Sequence, residues 1–493
     1  METTDKQIVT RLAPSPTGFV HVGTLYIALF NYLYARQHHG KFLLRIEDTD
    51  RERYIEGAVE GLLRVLNTMG LDYDEGPVLE NGLLSEKGEH GPYTQSNRLP
   101  IYLEHAKQLV DSGHAYYCFC TRERLDQVRS SQQLAKLPTK YDRTCTHLTS
   151  EEIANKLASG VSHVIRMKIP DGETRFHDEI RGFITIQNSE IDDQVLIKSD
   201  GFPTYHLAVV VDDNAMGVTH IIRGEEWISS VPKHLILYGW FEFAKPVYCH
   251  LPLILNSDKS KLSKRQGDVA VEDYLKKGYL PEALMNFVAL LGFNPGGDRE
   301  IYSLEELIQI FDVKKLNKSG AVFNIDKLNW MNGQYIRTYS DQELISKCEP
   351  YLSTLPEIDS ALLERIVHIE KERLVVLSDI TEKVTPHLKL PDYDASLLIW
   401  KKSDATDAKQ QLQNMRELIE TLSEETLSSV ELIEKAVKEY IVSKELQNGN
   451  VLWPLRVSLS GSQQSANPFE LLWILGKSES VSRITQALAR LEP

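Results

Sequence analysis

Cysteine is scarce in this chain, with five in 493 residues. So few thiols over such a length do not build a disulfide framework, which excludes the small stapled secreted folds. Long apolar runs are missing as well. No stretch approaches the roughly 18 residues that a membrane-crossing helix needs. The opening METTDKQIVT has no apolar core and is not Arg-rich, so neither export nor organelle import is expected. The expected compartment is the cytoplasm, where thiols stay reduced. No internal repeat and no low-complexity tract is found. Positive charge is in deficit: 55 Lys and Arg face 70 Asp and Glu, a formal net charge of −15. That argues against indiscriminate nucleic-acid binding. A nucleic-acid partner would need a local basic surface. Lys259, Lys261, Lys264 and Arg265 offer one, as do Lys314, Lys315 and Lys318; each group could equally be a solvated face.

What is present is ordinary soluble composition, 42% hydrophobic and 25% charged, in a chain long enough for several domains. The stretch from Arg11 to Arg53 organises it. A β-prone run, Gln7 to Thr10, leads into a turn with Pro14, Pro16 and Gly18, then His21-Val22-Gly23-Thr24. Apolar residues at Leu25, Ala28, Leu29, Tyr32, Leu33 and Ala35 have helical spacing. Lys41 to Ile46 reads as the next strand, and Glu47, Asp48 and Asp50 follow it. Strand, loop, helix and strand form a βαβ unit, which binds nucleotides at the carboxyl ends of its strands. Gly23 lets a flat group approach the backbone, and the helix start offers N–H groups to phosphates. His21 is placed to hydrogen-bond a phosphate. A tight turn with a surface histidine is the plainer alternative.

Downstream lies Lys261-Leu262-Ser263-Lys264-Arg265, by itself a solvated basic loop or a phosphate clamp. The sequences RLAPSPTGFVHVG, LRIEDTD, PTYHLAVVVDD, GVTHIIRGEEW and KLSKR together closely resemble the bacterial glutamyl-tRNA synthetases, a class I aminoacyl-tRNA synthetase family. The resemblance covers nearly the whole chain and is strongest from Arg11 to Arg337. Thr24 and Arg265 depart from the most common form of the two loops, as they do in many glutamyl enzymes.

The resemblance implies a Rossmann-type α/β catalytic domain with an inserted acceptor-binding domain, followed by an all-α anticodon-binding region. The expected boundaries are 1–93 and 195–255 for the catalytic halves, 94–194 for the insertion and 256–337 for a stem-contact domain. Two helical anticodon-binding parts follow, 338–400 and 401–493. Alternating runs at Val164–Ile169 and Phe183–Ile186 are expected to share one small antiparallel sheet in the insertion. Val195–Lys198 is expected to return the chain to the catalytic fold, and Asn81–Gly91 to be an exit from it. The implied reaction joins L-glutamate to tRNA(Glu) through glutamyl-adenylate, with ATP and Mg²⁺, in a monomer that requires tRNA for activation and has no membrane partner. The alternatives are an enzyme that also charges tRNA(Gln), a non-catalytic RNA-binding relative and a small adenylyltransferase.

The resemblance carries roles to particular residues. His21, Lys261 and Lys264 are the expected phosphate-side catalytic groups, with Gly23, Glu226 and Trp227 also around ATP. Arg11, Ser15, Glu47, Tyr205 and Arg223 are expected around glutamate. Arginine is the bidentate choice for a carboxylate, although from spacing alone Arg11 and Arg223 could be surface ion pairs. Cys118-x-Cys120 and Cys145-x-His147, 24 residues apart, offer a tetrahedral structural Zn²⁺ site. Buried free thiols or a Cys118–Cys145 disulfide are the alternatives. Arg365 and Arg373, in LLERIVHIEKERL, are either anticodon contacts or helix arginines paired with Glu364 and Glu370.

Overall fold

A computed structural model describes residues 7–262, 270–401 and 403–492. Lys264 and Arg265 fall outside the described residues. The chain divides into two units, one of residues 1–275 with 284–325, the other of 276–283 with 326–493.

The first unit is built on Val9–Leu12, a strand buried at all four positions. It runs parallel to Lys41–Leu44, with Val9 opposite Lys41 and Leu12 opposite Leu44. The helix Val22–Gln37 connects them and buries Leu25, Ala28, Leu29 and Leu33. Asn31 fixes this helix against the strands. Its side-chain amide donates to the Ile222 carbonyl at 3.0 Å, and its backbone carbonyl accepts the Thr10 hydroxyl at 2.9 Å. Strand His220–Gly224 lies parallel to Val247–Leu251, pairing Arg223 with His250. The Thr219 N–H donates to the Val9 carbonyl at 3.0 Å, which joins the two strand pairs. Both pairs are parallel and buried at most positions, and that burial takes in the polar Thr10, Arg11, Arg223 and His250 as well as the apolar residues.

Three expectations are corrected here. Val164–Met167 and Gly182–Gln187 lie in different sheets. The first pairs with Ala115–Cys118 and Val195–Ile197 in a three-stranded antiparallel sheet. The second forms a hairpin with Glu173–Asp178, which bridges in parallel to the catalytic strand Val247–Leu251 at Tyr248 and Asp178. Val195–Ile197 therefore completes the sheet of the insertion instead of leaving it. Alternation tells which face a strand buries but not which strand it joins. The stretch 81–91 is likewise no simple exit. Gly76–Glu80 and Leu83–Lys87 form a hairpin around Asn81 and Gly82, both at positive φ. Asn-Gly is the strongest short signal for such a turn.

Beneath the strand ends lies a charged core. Arg45 is fully buried and donates to Asp213 at 2.7 Å and to Glu47 at 2.9 Å. Arg11 donates to Asp213 at 3.2 Å, and Arg98 to Asp212 at 2.7 Å. Gln95 and Tyr102 add donors to Asp212, each at 2.8 Å. Three guanidinium groups thus face three carboxylates. Burial works against the Asp213 carboxylate, but Arg11 and Arg45 outweigh it and hold its pKa below the ordinary value.

The helices Tyr205–Ala215 and Val231–Trp240 meet where His206 Nδ1 lies 3.1 Å from His234 Nε2. Burial, then the nearby Lys233 and Arg223, pushes His206 down to about 3. Burial with the Arg223 and His206 charges pushes His234 well below its ordinary value.

The second unit is helical. Ser340 with Glu343, and Asn467 with Glu470, form reciprocal capping boxes that start the helices Asp341–Leu352 and Pro468–Arg490. One core gathers Ile336, Leu344, Ile366, Val367, Ile380 and Val384. Another gathers Leu412, Met415, Val437, Leu455, Leu472 and Ile484. The buried Arg483 ties helix ends together, donating to the carbonyls of Pro386, His387 and Leu459 at 2.7–2.8 Å.

Two outcomes follow. Asp213→Ala leaves Arg11 and Arg45 short of a buried counter-charge and costs about 3–5 kcal/mol, read as a lower urea midpoint. The two histidines are neutral when folded but take protons when unfolded, so the unfolded chain binds more protons below pH 6.5. Stability of the first unit therefore falls as pH drops below 6.5, and His206→Gln flattens that slope in urea titrations at stepped pH.

Candidate active site

The carboxyl ends of the parallel strands open onto a cavity of about 620 Å³. Arg11 comes to its wall from the first strand and Arg223 from the strand His220–Gly224; each is 4% exposed. Tyr205 opens its helix beside them, and Glu47, Ser15 and Trp227 also line the space. Arg223 Nη1 donates to the Tyr205 hydroxyl at 2.8 Å, and Nη2 to the Trp227 carbonyl at 3.3 Å. The Tyr205 and Trp227 rings lie 4.5 Å apart. Burial pushes the Glu47 carboxyl up, partly offset by Arg45. The five residues expected around a dicarboxylic substrate are thus brought together on one cavity. Its buried charged groups are the Arg11 and Arg223 guanidiniums and the Glu47 carboxylate, under aromatic cover, while Asp50, Arg51, Glu52, Arg53, Lys198 and Asp200 add further charge to its lining.

A second cavity of about 290 Å³ shares Thr24 and Ile27 with the first. His21, Gly23, Glu226, Lys261 and Leu253 line it. His21 caps the helix that begins at Val22, and the Gly23 N–H donates to its Nδ1 at 2.8 Å. A neutral His21 ring therefore carries its proton on Nε2. A Cβ on residue 23 would sit 3.1 Å from His21 Nδ1, so glycine permits the cap as well as a close ligand. Lys261 Nζ pairs with Glu226 at 3.0 Å at an exposed position. Trp227, expected around ATP, lines the first cavity instead.

Cys118 ends its strand, Cys120 follows, and Cys145 lies in the short turn Thr144–His147. The three sulfurs lie within 4.8 Å of one another, and no disulfide joins them. Cys120 Sγ is 3.5 Å from Cys145 Sγ and 3.3 Å from the Tyr141 hydroxyl. His147 is not brought to this group; it is exposed. In a tight turn only residues three apart share a face, so the turn that buries Cys145 puts His147 outside.

In the second unit, Arg365 lies partly buried on the helix Ser360–Glu370. Arg373 sits in the turn past the end of that helix rather than within it, and donates to Glu470 at 3.1 Å.

Several residues of the first site carry no sequence expectation: Arg45, Asp212, Asp213, Asp178 and His250. Arg45 lies inside LRIEDTD and the two aspartates inside VVVDD, where acidic residues in an apolar helix signal a buried pairing.

Residues 7–330 match the family described as tRNA synthetases class I (E and Q), catalytic domain, and residues 343–488 match an anticodon binding domain. A glutamate–tRNA ligase of Clostridium botulinum is 46% identical over 99% of both chains. One of Alkaliphilus metalliredigens is 44% identical over 97% of this chain and 98% of its own. The crystal structure of a glutamate tRNA ligase from Elizabethkingia meningosepticum, in complex with its amino acid, superposes with a TM-score of 0.89 at 34% identity, covering 99% of this chain and 100% of the other. With this agreement across both units, the chain belongs to the glutamate–tRNA ligase family of class I tRNA synthetases.

Proposed function

We propose that the chain attaches L-glutamate to tRNA(Glu) in two steps. In the first, an oxygen of the glutamate α-carboxylate attacks the α-phosphorus of ATP, giving glutamyl-adenylate and pyrophosphate. In the second, the terminal ribose hydroxyl of the tRNA attacks the acyl carbon and AMP leaves. The observation that carries this reading is the cavity with two buried arginines next to the helix start capped by His21.

Arg11 and Arg223 hold the side-chain carboxylate, each already aligned by protein acceptors. Glu47 faces the α-ammonium, and Tyr205 and Trp227 cover the substrate. The first step moves no proton to the protein; it requires positioning and positive charge around the phosphates. The His21 Nε2–H donates to a phosphate oxygen. Lys261 leaves Glu226 to pair with the phosphates, joined by Lys264. Mg²⁺ arriving with ATP adds charge neutralisation at the phosphates.

The stretch 94–194 takes the acceptor end of the tRNA, 256–337 its stem, and 338–400 and 401–493 its anticodon, with Arg365 and Arg373 as base contacts. Three close thiols suit Zn²⁺. Held by Cys118, Cys120 and Cys145, it would pin the strand end to the Thr144–His147 turn. The enzyme works as a cytoplasmic monomer and selects tRNA(Glu) over tRNA(Gln).

The test is aminoacylation with labelled glutamate on purified tRNA(Glu) and tRNA(Gln). Charging of tRNA(Glu) alone is expected; charging of both assigns the non-discriminating activity, and charging of neither overturns the reading. Arg223→Ala removes one buried partner of the carboxylate and lowers kcat/KM for glutamate by a factor corresponding to about 2–5 kcal/mol. Metal analysis of the purified protein should return close to one zinc per chain, and none in Cys145→Ser. A zinc-free parent protein would contradict the metal assignment.

A further inference from the structure

Arg223 is held from behind as well as from the side. Its Nε donates to His250 Nε2 at 3.2 Å. The other ring nitrogen, Nδ1, lies 2.7 Å from Asp178 Oδ2. His250 and Asp178 are both fully buried. The ring can accept from Arg223 only if its proton is on Nδ1, where it donates to the carboxylate. The Asp178 carboxylate is fully committed. Oδ1 accepts the N–H groups of Ile180 and Arg181 at 3.0 and 2.9 Å, and Oδ2 also accepts the His250 N–H at 3.0 Å. Tyr248 lies nearly parallel to the His250 ring, with centroids 5.9 Å apart, and also faces the Arg223 guanidinium. Burial keeps the His250 pKa below its ordinary value despite Asp178.

We infer that Asp178 and His250 are positioning residues for glutamate: Asp178 sets the His250 tautomer, and His250 aims Arg223 at the substrate carboxylate. The inference rests on the reading of Arg223 as a glutamate contact. It also links two parts of the chain, since Asp178 ends a strand of the stretch 94–194 while Arg223 and His250 sit opposite each other on the catalytic strands.

The chemistry singles out Asp178→Asn as the test. Two N–H donors face Oδ1, so the amide oxygen must stay there. The amide nitrogen then takes the place of Oδ2, where it gives up the bond from the His250 backbone N–H, donates to His250 Nδ1 and drives the ring proton to Nε2. That places an N–H against the Arg223 Nε–H, and the guanidinium turns away. His250→Gln behaves differently. Its side-chain oxygen reaches the place of Nε2 and accepts from Arg223 whatever residue 178 is, and Asp178 keeps three backbone donors.

The measurement is ATP–pyrophosphate exchange with saturating tRNA(Glu), varying glutamate and ATP separately. Asp178→Asn raises KM for glutamate about tenfold to a hundredfold, as an opposed buried donor does, with KM for ATP unchanged. His250→Gln stays close to the parent, and the double variant recovers the KM of His250→Gln. A change in both KM values together, or a double variant no better than Asp178→Asn, overturns the inference in favour of a merely structural role. If Asp178→Asn does not fold, His250→Leu, which removes the acceptor, must show the same selective rise or the inference fails. Arg223→Met is run alongside. If it leaves KM for glutamate unchanged, the reading of Arg223 itself is wrong and the positioning role falls with it. If it raises KM while Asp178→Asn and His250→Leu do not, only the positioning role is wrong.

Discussion

Arg11, Arg45 and Arg98 are buried together in the first unit, and three carboxylates make that tolerable. An isolated buried guanidinium is costly, so Arg45 can sit at zero exposure only because Asp213, Glu47 and Asp212 surround it. That constraint organises the site. Asp213 holds Arg11 and Arg45 at once, and Asp212 draws in Arg98, Gln95 and Tyr102. The ends of three segments far apart in the chain are thereby held at one place. The cavity wall is a by-product of solving a charge-burial problem. A wall built this way is also rigid, because none of its members can turn without leaving a partner unpaired.

Arg223 meets the same constraint without an ion pair to a carboxylate among the described residues. It uses neutral acceptors, the Tyr205 hydroxyl, the Trp227 carbonyl and His250 Nε2, and so keeps its full positive charge for a ligand. Arg11 is partly neutralised and Arg223 is not. The pair therefore offers net positive charge to a cavity that the Glu47 carboxylate also lines. A dicarboxylic amino acid has the matching pattern.

Much of this was legible in the sequence. The βαβ start and the His21 and Gly23 loop follow from periodicity and turn chemistry, and the helical region beyond Thr338 from the family resemblance. Arg11, Ser15, Glu47, Tyr205 and Arg223 are found on one cavity because whole motifs, not single residues, pointed to them. Other features could not be read there. Which strand Glu173–Asp178 joins is decided by tertiary packing, so Asp178 gave no sign of lying behind His250. Arg45 looked like any charge in an acidic motif, because its burial exists only once Asp212 and Asp213 arrive from 167 and 168 residues away. His147 had the right spacing for a metal ligand, but spacing does not report which way a tight turn faces. The Asn81-Gly82 turn is readable in the sequence and marks a hairpin where an exit from the catalytic fold is expected.

The most direct measurement is a structure of the chain with a non-hydrolysable glutamyl-adenylate analogue. The account predicts the glutamate side-chain carboxylate within hydrogen-bond reach of Arg11 and Arg223, the ammonium near Glu47 and the phosphate beside His21. A carboxylate bound instead at the far end of the cavity, on Lys198 or Arg51, would contradict it.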